Sequence, residues 1–145
     1  MDKSILPDRP VFRVGFLLID GFALMSYSAA VEVLRAANLL AGRTLYNIRH
    51  IPGTGVRAVS SSGAIVEATG QLGKDFDFDL VLVVAGGDPA RFQDTKVFSW
   101  LRQLSQRSIC LGGVSGGPVI LASAGLMVGR RMTVHWEHVA ELREL

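Results

Sequence analysis

Apolar positions along this chain fall into runs of two periods. Residues 11–19 (VFRVGFLLI) are almost continuously apolar over the length of one strand, which reads as a strand buried on both faces of a parallel sheet. Asp20-Gly21 breaks it. Over residues 23–40 the period changes: Leu24, Tyr27, Val31 and Leu34, with Asn38 in the next turn, fall three or four apart and predict a helix that Gly42 can stop. Residues 44–51 read as a second strand, ended by Pro52-Gly53. Residues 56–59 and 64–68 flank Ser60-Ser61-Ser62-Gly63 and predict a small hairpin. Residues 80–85 (LVLVVA) are the clearest central strand and run straight into Gly86-Gly87-Asp88-Pro89. A helix over 97–107, a strand over 108–113, a short helix over 117–124 capped by Gly125, and a last helix from 138 complete the series. This alternation specifies an α/β fold: an open, mostly parallel sheet with helices on both faces, the hairpin being the antiparallel insertion. Residues 1–10 form a tail, and 11–145 a single domain.

Composition narrows the class. The chain has 145 residues, enough for one sizeable core, and 49% are hydrophobic. Net charge is only +2, and the basic residues are scattered, so this segment lacks the concentrated basic face that grips nucleic acid. The single cysteine, Cys110, excludes an internal disulfide and fits a reducing compartment; its place inside a strand predicts a buried, inert thiol. The tail lacks the apolar core of a signal peptide, and no apolar run has the length of a membrane span. The expectation is a cytoplasmic protein without membrane contact. Asp75, Asp77 and Asp79 alternate with Phe76 and Phe78, which predicts a polar face opposite an apolar one rather than a metal site, since no His or Cys lies nearby.

The candidate chemistry lies at Gly113-Val114-Ser115-Gly116-Gly117, which satisfies G-x-S-x-G between a strand and a helix. Such an elbow projects the hydroxyl at the carboxyl edge of the sheet, with helix N–H groups behind it that could hold an anion or a carbonyl oxygen. Gly86-Gly87 ends the neighbouring strand at the same edge, where ligands of open α/β sheets sit. The same residues also read as a Gly-rich turn with a capping serine. A serine hydrolase needs a His in reach and an acid to orient it. No Asp follows Ser115; His135, Glu137 and His138 do, in the wrong order or too close together for the usual hydrolase loops.

The ordered series Phe16-Leu17-Leu18-Ile19-Asp20-Gly21-Phe22, Glu32-Val33-Leu34-Arg35-Ala36-Ala37-Asn38, Ala85-Gly86-Gly87, the elbow, Ala122-Ser123-Ala124-Gly125-Leu126-Met127 and Thr133-Val134-His135-Trp136-Glu137 resembles the N-terminal sensor domain of GlxA-like AraC-family regulators, an amidotransferase-like (DJ-1/PfpI) domain. The resemblance runs from about residue 11 to the end. It implies a flavodoxin-like, class I glutamine amidotransferase-like fold. Enzymes of that superfamily usually carry Cys at the elbow and a carboxylate early in the first helix, and those of proteolytic type have His after the nucleophile. Here these positions hold Ser115, Ser26 and Gly116. A hydroxyl without a base is a poor nucleophile.

The resemblance therefore implies a degenerate elbow without catalysis, no cofactor and no metal. It implies a pocket at Ser115, Gly116, Gly86, Gly87, Ser26 and His135 for a small effector, amino-acid-derived or a quaternary amine such as arginine, betaine or carnitine are for relatives. Phe22, Tyr27 and Trp136 could line it for a cation, or could equally be core. It further implies a homodimer, and DNA contact only through a C-terminal domain absent from this chain, which stops short of the sensor domain's usual end. Glu32, Arg35 and Asn38 share one helical face and could make either a helix-surface network or a dimer contact. The alternative is a hydrolase or lyase using Ser115.

Overall fold

The computed structural model describes residues 10–144. The tail expected over 1–10 lies, Pro10 apart, outside the described residues, as does Leu145. The apolar runs become parallel strands: β1 (Phe12–Leu18), β2 (Tyr46–Pro52), β5 (Leu80–Ala85) and β6 (Cys110–Ser115), in spatial order β2-β1-β5-β6. Two short strands, β3 (Arg57–Val59) and β4 (Ile65–Glu67), form the expected antiparallel hairpin. It is tied to the end of β1 by an isolated bridge between Phe22 and Ser60 and by an Asp20 carboxylate that accepts from the Val59 N–H.

Side chains alternate across the sheet, and each face is covered by helix. On one face Val14, Phe16, Leu18 and Val84 pack under α1 (Leu24–Ala41). On the other, Leu17, Val81, Val83 and Ala85 pack under α2 (Thr95–Gln106) and α3 (Gly117–Ser123). α1 ends where Gly42 takes φ +62. Asn38, read as part of either a helix-surface network or a dimer contact, accepts from the N–H groups of Leu45 and Tyr46 and donates to the Tyr46 carbonyl, locking the turn into β2. The Asp-Phe alternation before β5 behaves as its pattern predicts. Asp77 and Asp79 pair with Arg13, and Asp75 with Arg49, while Phe76 and Phe78 pack beside Trp100. Arg13 holds the Asp79 carboxyl down to about 2 by hydrogen bonding.

Three expectations are corrected. The strand predicted over 108–113 runs from Cys110 to Ser115, because Ser108 turns to φ +60 and the backbone of Ile109 still closes α2 onto Leu104. Ser115 is therefore the last residue of the strand. Cys110 is exposed, not buried, because β6 is the edge strand of the described sheet. The helix predicted from residue 138 is a 3-10 turn (Trp136–His138) followed by a single α-turn, α4 (Val139–Leu142).

Candidate functional site at the carboxyl edge

The sheet order reverses between β1 and β5, so the loops that follow these two strands leave in opposite directions and open a crevice at the carboxyl edge. Three segments meet there. Gly86 lets the loop after β1 approach: a Cβ on it would lie 2.6 Å from the Gly21 carbonyl oxygen and 3.1 Å from the Ala23 nitrogen. Gly117 lets α3 press on β5, since a Cβ there would lie 1.8 Å from the Val83 carbonyl oxygen. Between them Ser115 takes φ +56, in the left-handed region that a side chain enters only at a cost. The G-x-S-x-G run thus has the backbone of a true elbow and not that of a simple helix cap; α3 receives no side-chain cap at Gly116.

The donor set behind Ser115 is thinner than the elbow motif alone predicts. The Gly116 N–H is spent on the Ala85 carbonyl, Pro118 has no N–H, and the Val119 N–H goes to the Gly116 carbonyl. Of these first helical residues, Gly117 keeps a free-standing donor. Gly87 (φ +61) turns into open space beside them, and Pro89 packs on Gly116. Ser26 lies in the first turn of α1, and α1 comes within 8 Å of β6 between Cα atoms. Ser26 is half-buried and, as expected, brings no carboxylate.

Among the described residues no histidine is hydrogen-bonded to Ser115. All three are engaged elsewhere: His50 Nδ1 with Tyr27 Oη at 3.2 Å, His138 Nδ1 with Glu141 at 3.1 Å, and His135 Nδ1, which accepts from the Glu137 N–H at 3.4 Å. His135 is exposed and lies tilted beside Trp136, with ring centroids 5.5 Å apart. The structure thus brings Ser115, Gly116, Gly86, Gly87 and the α1 turn carrying Ser26 to one edge, and leaves His135 in its own surface turn. Nor do the aromatic residues form one wall. Phe22 and Tyr27 pack edge-to-face in the core under α1, 5.3 Å apart, while Trp136 is 75% exposed. Sequence reasoning missed Ser60, which is buried beside the loop after β1 and whose hydroxyl accepts from the Ala64 N–H. Its only sequence signal is a place in an otherwise ordinary Ser-rich turn. Among the described residues no cluster of His, Cys, Asp and Glu could hold a metal ion, and no helix is long and apolar enough to cross a membrane.

Comparison with known proteins agrees with this geometry. Residues 12–144 match the DJ-1/PfpI family. Over 137 residues the chain is 47% identical to the HTH-type transcriptional regulator GlxA of Rhizobium meliloti, covering 94% of this chain and 42% of that protein. It is 40% identical over 129 residues to the HTH-type transcriptional regulator CdhR of Pseudomonas aeruginosa, covering 89% and 38%. The chain therefore spans less than half the length of these curated relatives. Among solved structures, an AraC family transcriptional regulator from Pseudomonas putida superposes with a TM-score of 0.78 at 27% identity, covering 92% of this chain and 71% of that one. Oxidized Toxoplasma gondii DJ-1 superposes with a TM-score of 0.74 at 14% identity, covering 90% and 71%, which is a likeness of fold.

Proposed function

Since this chain belongs to the DJ-1/PfpI family, we propose that it is the sensor domain of an AraC-type transcriptional regulator, working in the cytoplasm as a homodimer. In this reading it binds a small amino-acid-derived or quaternary-amine effector at the carboxyl edge without converting it, and meets DNA through a separate domain. The observation that carries the reading is the elbow. It has the strained backbone of a nucleophile but none of the groups that would activate one, since every histidine is engaged elsewhere and Ser26 stands where a carboxylate would act. A neutral hydroxyl in that setting donates and accepts hydrogen bonds but does not attack. That the relatives above are regulators by name supports the same reading. The glycines at the edge then have a binding role, because Gly86 and Gly87 leave room for a ligand to approach backbone donors.

Thermal-shift and calorimetric titration with arginine, glycine betaine and carnitine tests this. One of them is expected to raise the melting temperature in a saturable way, and Ser26→Phe, which fills the edge, to abolish the shift. Assays with ester and amide substrates should give rates equal for the parent and Ser115→Ala. Turnover that disappears in Ser115→Ala, without stabilisation by any of the three compounds, would instead establish a hydrolase.

A further inference from the structure

One wall of the crevice is the loop from Asp20 to Ala23, between β1 and α1. The loop is braced from outside rather than by the helix it enters, since Ala23 gives α1 no side-chain cap. On one side stands the β3–β4 hairpin. The Gly21 N–H donates to the Val59 carbonyl at 2.8 Å, the Ser61 N–H donates to the Phe22 carbonyl at 2.9 Å, and the Asp20 carboxylate accepts from the Val59 N–H at 2.9 Å. On the other side Gly86 leaves no slack against the Gly21 carbonyl. Beneath, the Phe22 ring is fully buried in the cluster that also holds Tyr27 and Ala58 of β3.

The hairpin depends on the loop in turn. Its strands have three residues each, and a two-stranded hairpin is marginal at best on its own in water. Ala58 and Val66 pack inward, while Val59 and Ile65 on the other face are exposed. Its turn is closed by Ser60, 4% exposed, whose hydroxyl accepts from the Ala64 N–H at 3.0 Å and bonds the Ser62 hydroxyl at 3.1 Å.

We propose that the hairpin is a clamp that fixes this wall of the crevice, with Asp20 and Ser60 as its positioning residues. Among the described residues the Asp20 bond is the one side-chain hydrogen bond between loop and hairpin, and a carboxylate holds a backbone N–H more strongly than a neutral acceptor does. Without it two backbone bonds remain, and the loop frays. Ala23 and the turn of α1 carrying Ser26 then shift against Gly86 and Ser115. A ligand touching both sides of the crevice meets an assembled site for only part of the time, and its affinity falls by that fraction. The role in binding rests on the effector reading above; the clamp itself does not.

Asp20→Ala removes the acceptor, and Asp20→Asn restores one. Gly21 and Ser61 donate to backbone carbonyls that neither substitution touches. In Asp20→Ala their amides should nevertheless exchange at least ~10-fold faster than in the parent, and in Asp20→Asn within ~3-fold of it. Ser60→Ala, acting from the turn, should accelerate the same two amides, with those of Leu82 and Val84 unchanged as the control for an intact sheet. In titrations with arginine, glycine betaine and carnitine, whichever compound binds the parent should bind Asp20→Ala ~10-fold more weakly and recover in Asp20→Asn. Unchanged exchange of Gly21 and Ser61 in both alanine variants overturns the clamp. Faster exchange with an unchanged dissociation constant overturns its role in binding. Faster exchange in a parent that binds none of the three compounds upholds the clamp and counts against the effector reading alone.

Discussion

His50 shows how one half-buried residue links the fold to pH. It sits on β2, its ring 5.8 Å from Tyr27 and 6.2 Å from Phe16, and burial lowers its pKa while raising that of the Tyr27 phenol. The folded state thus prefers the neutral imidazole, while the unfolded chain takes up its proton near pH 6.5. The stability this contributes is complete above that value and is lost as pH falls through the lowered value of the folded state. Urea unfolding from pH 7.5 down to pH 5 should show a declining stability that His50→Gln flattens; an unchanged slope in the variant would assign the decline to other groups. Ser115 is the contrasting residue. Its left-handed backbone costs on the order of 1 kcal/mol, which a glycine would avoid.

At the scale of elements, the elbow is a packing device before it is a chemical one. The missing Cβ of Gly117 would occupy the place of the Val83 carbonyl oxygen, so β5 and α3 touch backbone to backbone. Gly117→Ala forces them apart and should cost about 3 kcal/mol, at the upper end of the usual overpacking range, read as a fall in the urea midpoint, with the crevice opened. The strand-helix alternation and the hairpin were legible in the sequence because each period is local: β5 begins and ends where its apolar run does, and α1 stops at the glycine that can take positive φ. The start of β6 was not legible, because it depends on how Ser108 and Ile109 finish α2. The glycines and Ser115 of the site were readable from spacing. That Pro118 and neighbouring hydrogen bonds use up most of the donors behind the elbow is a matter of tertiary geometry. So is the separate turn that holds His135, since sequence distance from the elbow carries no direction.

Across the whole molecule, cover decreases from the middle of the sheet toward β6. β1 and β5 have strand neighbours on both sides and helices on both faces, whereas β6 pairs only with β5 among the described residues. Edge position also explains why Cys110 is exposed although its strand looks internal in sequence, and why Leu111, Leu121 and Met127 line an open groove of about 480 Å³ beside it. The Cys110 N–H donates to the Asp79 carbonyl, so by strand alternation the N–H groups of Gly112 and Val114 also face β5, and those of Leu111 and Gly113 face outward. Unpaired outward amides exchange without any opening of the sheet, whereas those of Leu82 and Val84, which by the same alternation face β1, require the core itself to open. Hydrogen exchange resolved by residue should therefore find Leu111 and Gly113 at least ~1000-fold less protected than Leu82 and Val84. Equal protection along β5 and β6 would mean that the β6 edge is covered in solution.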